Sequence, residues 1–207
     1  MKGRPRIIAI AGFSCALICI AALHLLRTDL SPVSHRLSEY AVGPYGWVMT
    51  AAFVSLSCGL VAMGIVFRAE ASSRIAWALP SAAFVAACGA IVSALFKTGT
   101  SDLSEAIHSR ASAIAVVAVV ALALARSMPG VPAGPGETRD RIGVGLAVAA
   151  ATLAAISPLL HETRFTGLSQ RVMWIVLISW LLWTSWRPSL TGGSGRPIPS
   201  HRRDHAQ

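Results

Sequence analysis

Charge is scarce in this chain. Only 13% of its 207 residues are Asp, Glu, Lys or Arg, and just nine of them are acidic, against a charged share of about 25% in an ordinary soluble domain. Long polar stretches are missing too. The longest segments between apolar runs are Arg27 to Tyr45, Ser127 to Arg141 and the tail after Arg187, each too short for an independent core, which excludes a separate soluble domain. No cysteine lies outside an apolar run: Cys15, Cys19, Cys58 and Cys88 all fall within one. A structural disulfide is therefore not expected, and these thiols read as small packing groups. Cys15 and Cys19, four apart, are only a weak metal hint. The chain also has no HExxH or comparable short pair of metal ligands.

What the sequence does have is apolar length. Hydrophobic residues make up 54% and the mean hydropathy is +0.61. Six runs approach the roughly 20 residues needed to cross a bilayer: Ile7 to Leu26, Gly46 to Phe67, Ile75 to Phe96, Leu103 to Ala125, Ile142 to Leu160 and Leu168 to Trp186. They do not alternate as barrel strands would, so the expected fold is all-α, a compact up-and-down bundle of six transmembrane helices. The domain is expected over residues 1–187, and residues 188–207 read as a disordered, basic cytoplasmic tail.

The net charge of +9 and the excess of basic residues fit the bilayer better than nucleic acid, because Lys and Arg collect in cytoplasmic loops. With the N-terminus inside, twelve basic residues fall on the inner side and six on the outer. Both termini are thus expected in the cytoplasm, in an inner or plasma membrane. The first run is read as an uncleaved span, since it exceeds a signal core and ends in His24 and Arg27. Gly143, Ala147, Ala151 and Ala155, and Ser55 with Gly59, predict close helix packing through small residues. The Gly- and Pro-rich segment from Ser127 to Gly136 reads as a linker between two three-helix halves.

Under this topology the outer face gathers His24, Asp29, His35, Arg36, Glu39, Asp102, Glu105, His108, Arg110, His161, Glu162, Arg164 and Arg171. Asp102 and Glu105 fit a helix N-cap with its capping-box partner. Each of three segments pairs a histidine with a nearby carboxylate: His35 with Glu39, His108 with Glu105, and His161 with Glu162. Zinc accepts such ligands in open catalytic sites. In that reading His35, His108 and His161 hold the metal, and Glu105 or Asp102 serves as base. Haem is disfavoured, because these histidines stand near helix ends rather than at mid-depth. The same face suits an anionic headgroup, with Arg36, Arg164 and Arg171 beside three helix N-termini.

The run Ser31-Pro32-Val33-Ser34-His35-Arg36-Leu37-Ser38-Glu39-Tyr40-Ala41, leading through Gly43 to Gly46-Trp47, resembles the bacterial and archaeal membrane family known as domain of unknown function number 998. Phe96, with Asp102 and then His108, is similar to that family's Phe-Pro-x-Asp element and helix-opening His. Lys97 stands where the family has Pro, and Asp102 falls several residues later than its Asp. Gly167-Leu168-Ser169-Gln170-Arg171 followed by Trp174 is similar to the segment before its last span. The resemblance implies a six-span membrane protein with Ser38, Glu39, His108 and Arg171 on one face, and implies no reaction, substrate or cofactor.

A non-catalytic membrane protein that binds lipid headgroups or a membrane partner, including a second copy of itself, is the leading expectation. A metal-assisted hydrolase of a lipid-like substrate and a transporter or sensor of small anions are the alternatives. The absence of ionisable groups at mid-depth in spans two, three, five and six weighs against a transport route.

Overall fold

A backbone in hydrocarbon must satisfy its own hydrogen bonds, and a single apolar run can do so only as an α-helix. The computed structural model describes residues 3–71, 76–127, 140–160 and 163–187. Among them are six α-helices and no strand: α1 (Gly3–Leu26), α2 (Gly46–Glu70), α3 (Ala78–Leu95), α4 (Asp102–Ser127), α5 (Arg141–Ile156) and α6 (Thr166–Trp186). Short 3-10 turns cover Leu37–Ala41 before α2 and Ser157–Leu160 after α5. The chain has the character of a multi-pass membrane protein, because α1 to α4, and α5 with its 3-10 extension, are each long and apolar enough to cross a membrane. The polar residues of its first two turns and its four tryptophans keep α6 below the same hydropathy.

Each helix packs on the next in sequence, and α6 returns to α1 to close a ring. The contacts are far more extensive among α1, α2, α3 and α4 than between α4 and α5 or α5 and α6. The bundle thus divides as four helices plus a looser pair, not as two halves of three. The reason is simple: the Gly- and Pro-rich linker follows the fourth span. Its residues 128–139 lie outside the described residues, as does the tail, 188–207.

Small residues set the closest crossing. A Cβ on Gly12 would stand 2.6 Å from the Ser55 carbonyl oxygen, and one on Gly59 would stand 2.7 Å from Cδ1 of Phe13. Glycine at both positions lets α1 and α2 touch backbone to backbone, the contact that drives helix association where burial from water does not. On α5 the expected four-residue stripe is only half realised. Gly143, Ala147 and Ala150 are buried, whereas Ala155 is exposed. Steps of four overshoot a 3.6-residue turn by about 40° each, so a strict repeat rotates off the packed face within three steps.

The core runs through the middle of the ring, with Phe13, Leu60, Leu122, Leu177, Trp180 and Leu181 fully buried. Large apolar side chains also cover the outside: Ile18 is 68% exposed and Ile175 58%. In water such a surface would drive aggregation, whereas hydrocarbon solvates it. One end of the bundle is tied by Asp140. It caps α5 through the Gly143 N–H (2.9 Å), accepts from the Trp183 indole (3.1 Å) and pairs with Arg187 (2.7 Å). At the same end Arg6 pairs with Glu70 at 2.9 Å and donates to the Arg187 carbonyl. The polar loop between α1 and α2 covers the other end.

Candidate functional site

Three arginines pin that loop into a cap. Arg27, only 7% exposed, donates to Asp29 at 2.9 Å and also to the carbonyls of Val42 (2.6 Å) and Pro44 (3.2 Å), so one guanidinium clasps both ends of the segment. The Asp29 carboxyl is held below the usual carboxylate range, chiefly by the hydrogen bond from Arg27. Tyr40 is fully buried and donates its hydroxyl to the Leu30 carbonyl. Arg36 pairs with Glu39 at 3.1 Å within the loop and with Glu105 at 3.3 Å on α4. Glu105 also accepts the Gly99 N–H at 2.8 Å, which ties the α3–α4 turn to the same network.

Arg171 joins the cap to α6 and α1. Its Nη1 donates to the carbonyls of His35 (2.7 Å) and Gly167 (2.9 Å), and its Nε donates to Nε2 of His24 (2.7 Å). The other ring nitrogen, Nδ1, lies 2.7 Å from the Ile20 carbonyl, which can only accept. His24 is therefore the neutral tautomer with its proton on Nδ1. The approach of the loop to α6 is so close that a Cβ on Gly167 would collide with the His35 carbonyl and stand 2.7 Å from that of Pro32. Two further bonds complete the seam: Leu37 N–H to the Gln170 side-chain oxygen (3.1 Å), and Leu168 N–H to the Val33 carbonyl (3.0 Å).

Beneath the cap lies a cavity of about 650 Å³, bordered by every helix except α3. Its volume is that of a small-molecule site. The lining changes character along α4. Nearest the cap it is His108, Ser109 and Ser112, and further on Ala113, Val116 and Val117. At 1.5 Å per residue that transition spans about 13 Å. Arg36, Ser38, Thr98 and Gln170 complete the polar end, while Phe53, Leu56, Met173 and Ile178 line the apolar part. Val117 (66% exposed) and Leu159 (79% exposed) both border the cavity. It consequently opens sideways between α4 and the end of α5, on the flank of the bundle.

His108 is 3% exposed, and its Nδ1 lies 3.0 Å from the Ser93 carbonyl and 2.8 Å from that of Phe96. Both carbonyls can only accept, so Nδ1 carries a proton. The ring also meets Phe53 edge-on, with centroids 5.8 Å apart. The Thr98 hydroxyl is buried beside the Glu105 carboxylate, yet it makes no hydrogen bond of ordinary geometry.

The residues singled out from sequence separate accordingly. His108, Arg36 and Ser38 line the cavity. Glu39 and Glu105 stand behind Arg36 as its partners. Arg171 is a buried clasp rather than a cavity group. Arg164 is exposed, with its guanidinium over the Phe165 ring at 4.8 Å. Asp102 is exposed too, and it is not the N-cap: the Ser101 hydroxyl accepts from the Ser104 N–H at 3.2 Å, so α4 is capped one residue earlier. His35 contributes its carbonyl to Arg171, while its ring lies 3.3 Å from the Ser34 hydroxyl. His161 and Glu162 lie outside the described residues. Among those described, no three His, Cys, Asp or Glu side chains gather closely enough to hold a metal.

Thr98, Ser109 and Ser112 were not singled out by sequence, and Gln170 entered only through the Gly167–Arg171 segment of the family resemblance. A signal existed for part of the set, since Ser104, His108 and Ser112 recur every four residues and mark one face of an otherwise apolar helix. No curated protein and no solved structure matches the chain. A family model does, over residues 9–187, which takes in both the cap and the cavity. The chain belongs to DUF998, a family of proteins of unknown function.

Proposed function

We propose that this protein crosses a cell membrane six times with both termini in the cytoplasm, and binds a lipid-like amphiphile in the cavity beneath its cap. The observation that carries this reading is the gradient along the cavity wall, from His108 and Ser112 near the cap to Val116 and Val117 further along α4. A head with hydrogen-bonding groups and an aliphatic tail match those two ends. The sideways mouth at Val117 and Leu159 supports a ligand drawn from the bilayer, because hydrocarbon meets it directly. Arg36, Ser38, His108 and Gln170 form the head site. The cap bonds of Arg27, Glu39 and Arg171 hold the lid in place.

The test is retention of lipid by the detergent-purified protein, read by native mass spectrometry, against Ala113→Trp, which fills the cavity from α4. Wild type should carry a lipid-sized adduct that the variant loses while its thermal midpoint stays within a few degrees. Equal retention by both would overturn the reading. Topology is tested separately by impermeant thiol labelling of a cysteine-free protein carrying Thr163→Cys or Glu70→Cys. Labelling of the first from outside and the second from inside is expected.

A further inference from the structure

We infer that the amphiphile is a neutral lipid that presents a hydroxyl group, not an anionic one. The inference rests on the reading of the cavity as a lipid site, and the chemistry of the polar end narrows the class. Among the described residues that line the cavity, Arg36 is the only arginine or lysine. It is already matched by two carboxylates, Glu39 at 3.1 Å and Glu105 at 3.3 Å. A phosphate or free carboxylate placed there would meet more negative than positive charge, in a site whose walls screen poorly.

The uncharged groups ask for the opposite partner. With Nδ1–H committed to the carbonyls of Ser93 and Phe96, His108 has only Nε2 left for whatever occupies the cavity. A hydroxyl meets that nitrogen in either protonation state, because it both donates and accepts. The Thr98 hydroxyl, 4% exposed and without a bond of ordinary geometry, borders the same end. A buried hydroxyl left in that state is costly, and a ligand hydroxyl can bond to His108 and accept from Thr98. Gln170 has its oxygen fixed by the Leu37 N–H, which leaves its amide NH2 as a donor. An ester carbonyl beside the hydroxyl would accept from it. A hydroxyl next to an ester on an apolar chain is the chemistry of a partial acylglycerol.

Three probes of identical chain length separate the possibilities: a diacylglycerol, its O-methyl ether, and the corresponding phosphatidic acid. Each is titrated into the full-length protein in phosphatidylcholine nanodiscs, with competition against a fluorescent diacylglycerol as the readout. The diacylglycerol should bind about tenfold more tightly than either other probe, the loss expected when buried polar groups go without a hydrogen-bonding partner. Thr98→Val should erode the preference for the free hydroxyl over the ether without abolishing binding. Phosphatidic acid binding as tightly as the diacylglycerol would overturn the neutral class while the lipid site stands. Equal affinity for the ether would overturn the role of the hydroxyl. No displacement by any probe, in a protein that also retains no lipid on purification, would remove the lipid site itself.

Discussion

Nε of Arg171 donates to Nε2 of His24 at 2.7 Å, a guanidinium bound to the lone pair of a neutral imidazole. No carboxylate among the described residues pairs with this arginine. It is held instead by two backbone carbonyls, a ring nitrogen, and the face of Tyr40 5.3 Å away. A cation so placed serves geometry, because a planar fork reaches three acceptors from three elements at once.

Lysine cannot copy that fork. Arg171→Lys should therefore destabilise the protein by about 3 kcal/mol, since at least one of the carbonyls of His35 and Gly167 loses its donor. The thermal midpoint in detergent measures it, and a wild-type midpoint would show that the clasp contributes nothing.

Gly167→Ala adds a single methyl where the carbonyls of His35 and Pro32 already crowd the backbone. The loop must move away, so the bonds from Leu168 to Val33 and from Leu37 to Gln170 should weaken together. Limited proteolysis should cut between residues 27 and 45 faster in the variant, with little change elsewhere.

Acid should loosen the cap. The Asp29 carboxyl titrates below its ordinary value because Arg27 holds its charged form. A depressed carboxyl stabilises the fold at neutral pH, and that contribution disappears as pH falls below about 4, through the lowered value. The effect is modest, as the Asp29 side chain is 62% exposed. Thermal midpoints of wild type and Asp29→Asn should differ near pH 6 and draw together as pH falls below about 4. A difference that does not change with pH would assign the contact a purely steric role.

His108 also closes the end of α3, donating to the carbonyls of Ser93 and Phe96. His108→Phe keeps the ring and removes the donor, and should cost about 1–2 kcal/mol. His108→Asn, whose amide can stand near the Nδ1 position, should recover part of that loss in the same denaturation experiment. If Phe is tolerated better than Asn, packing against Phe53 outweighs the hydrogen bonds.

Local chemistry was legible in the sequence, and pairing across the fold was not. The spans follow from apolar length. His108 and Arg36 could be named because ionisable groups near hydrocarbon are rare, and Gly59 was readable as a packing glycine. The part played by Arg171 was not readable. A basic residue at a helix start looks the same whether it faces a ligand or three buried acceptors contributed by distant segments. Arg36 shows the same limit, for its charge is plain in sequence but its compensation by Glu105 depends on how the loop meets α4. Asp102 misled because an acidic residue at a helix start satisfies the capping pattern as well as Ser101 does. Thr98 is informative through its burial without a hydrogen bond of ordinary geometry, and that is a property of three-dimensional packing.

If the cavity binds lipid as proposed, the mouth between Val117 and Leu159 changes what concentration means for this protein. A ligand that arrives through the flank of the bundle never equilibrates with the cavity from water, so its occupancy follows its mole fraction in the surrounding leaflet. Affinity is then properly expressed in mole per cent of membrane lipid, and a site weak by aqueous standards can be filled by a minor lipid once that lipid accumulates locally.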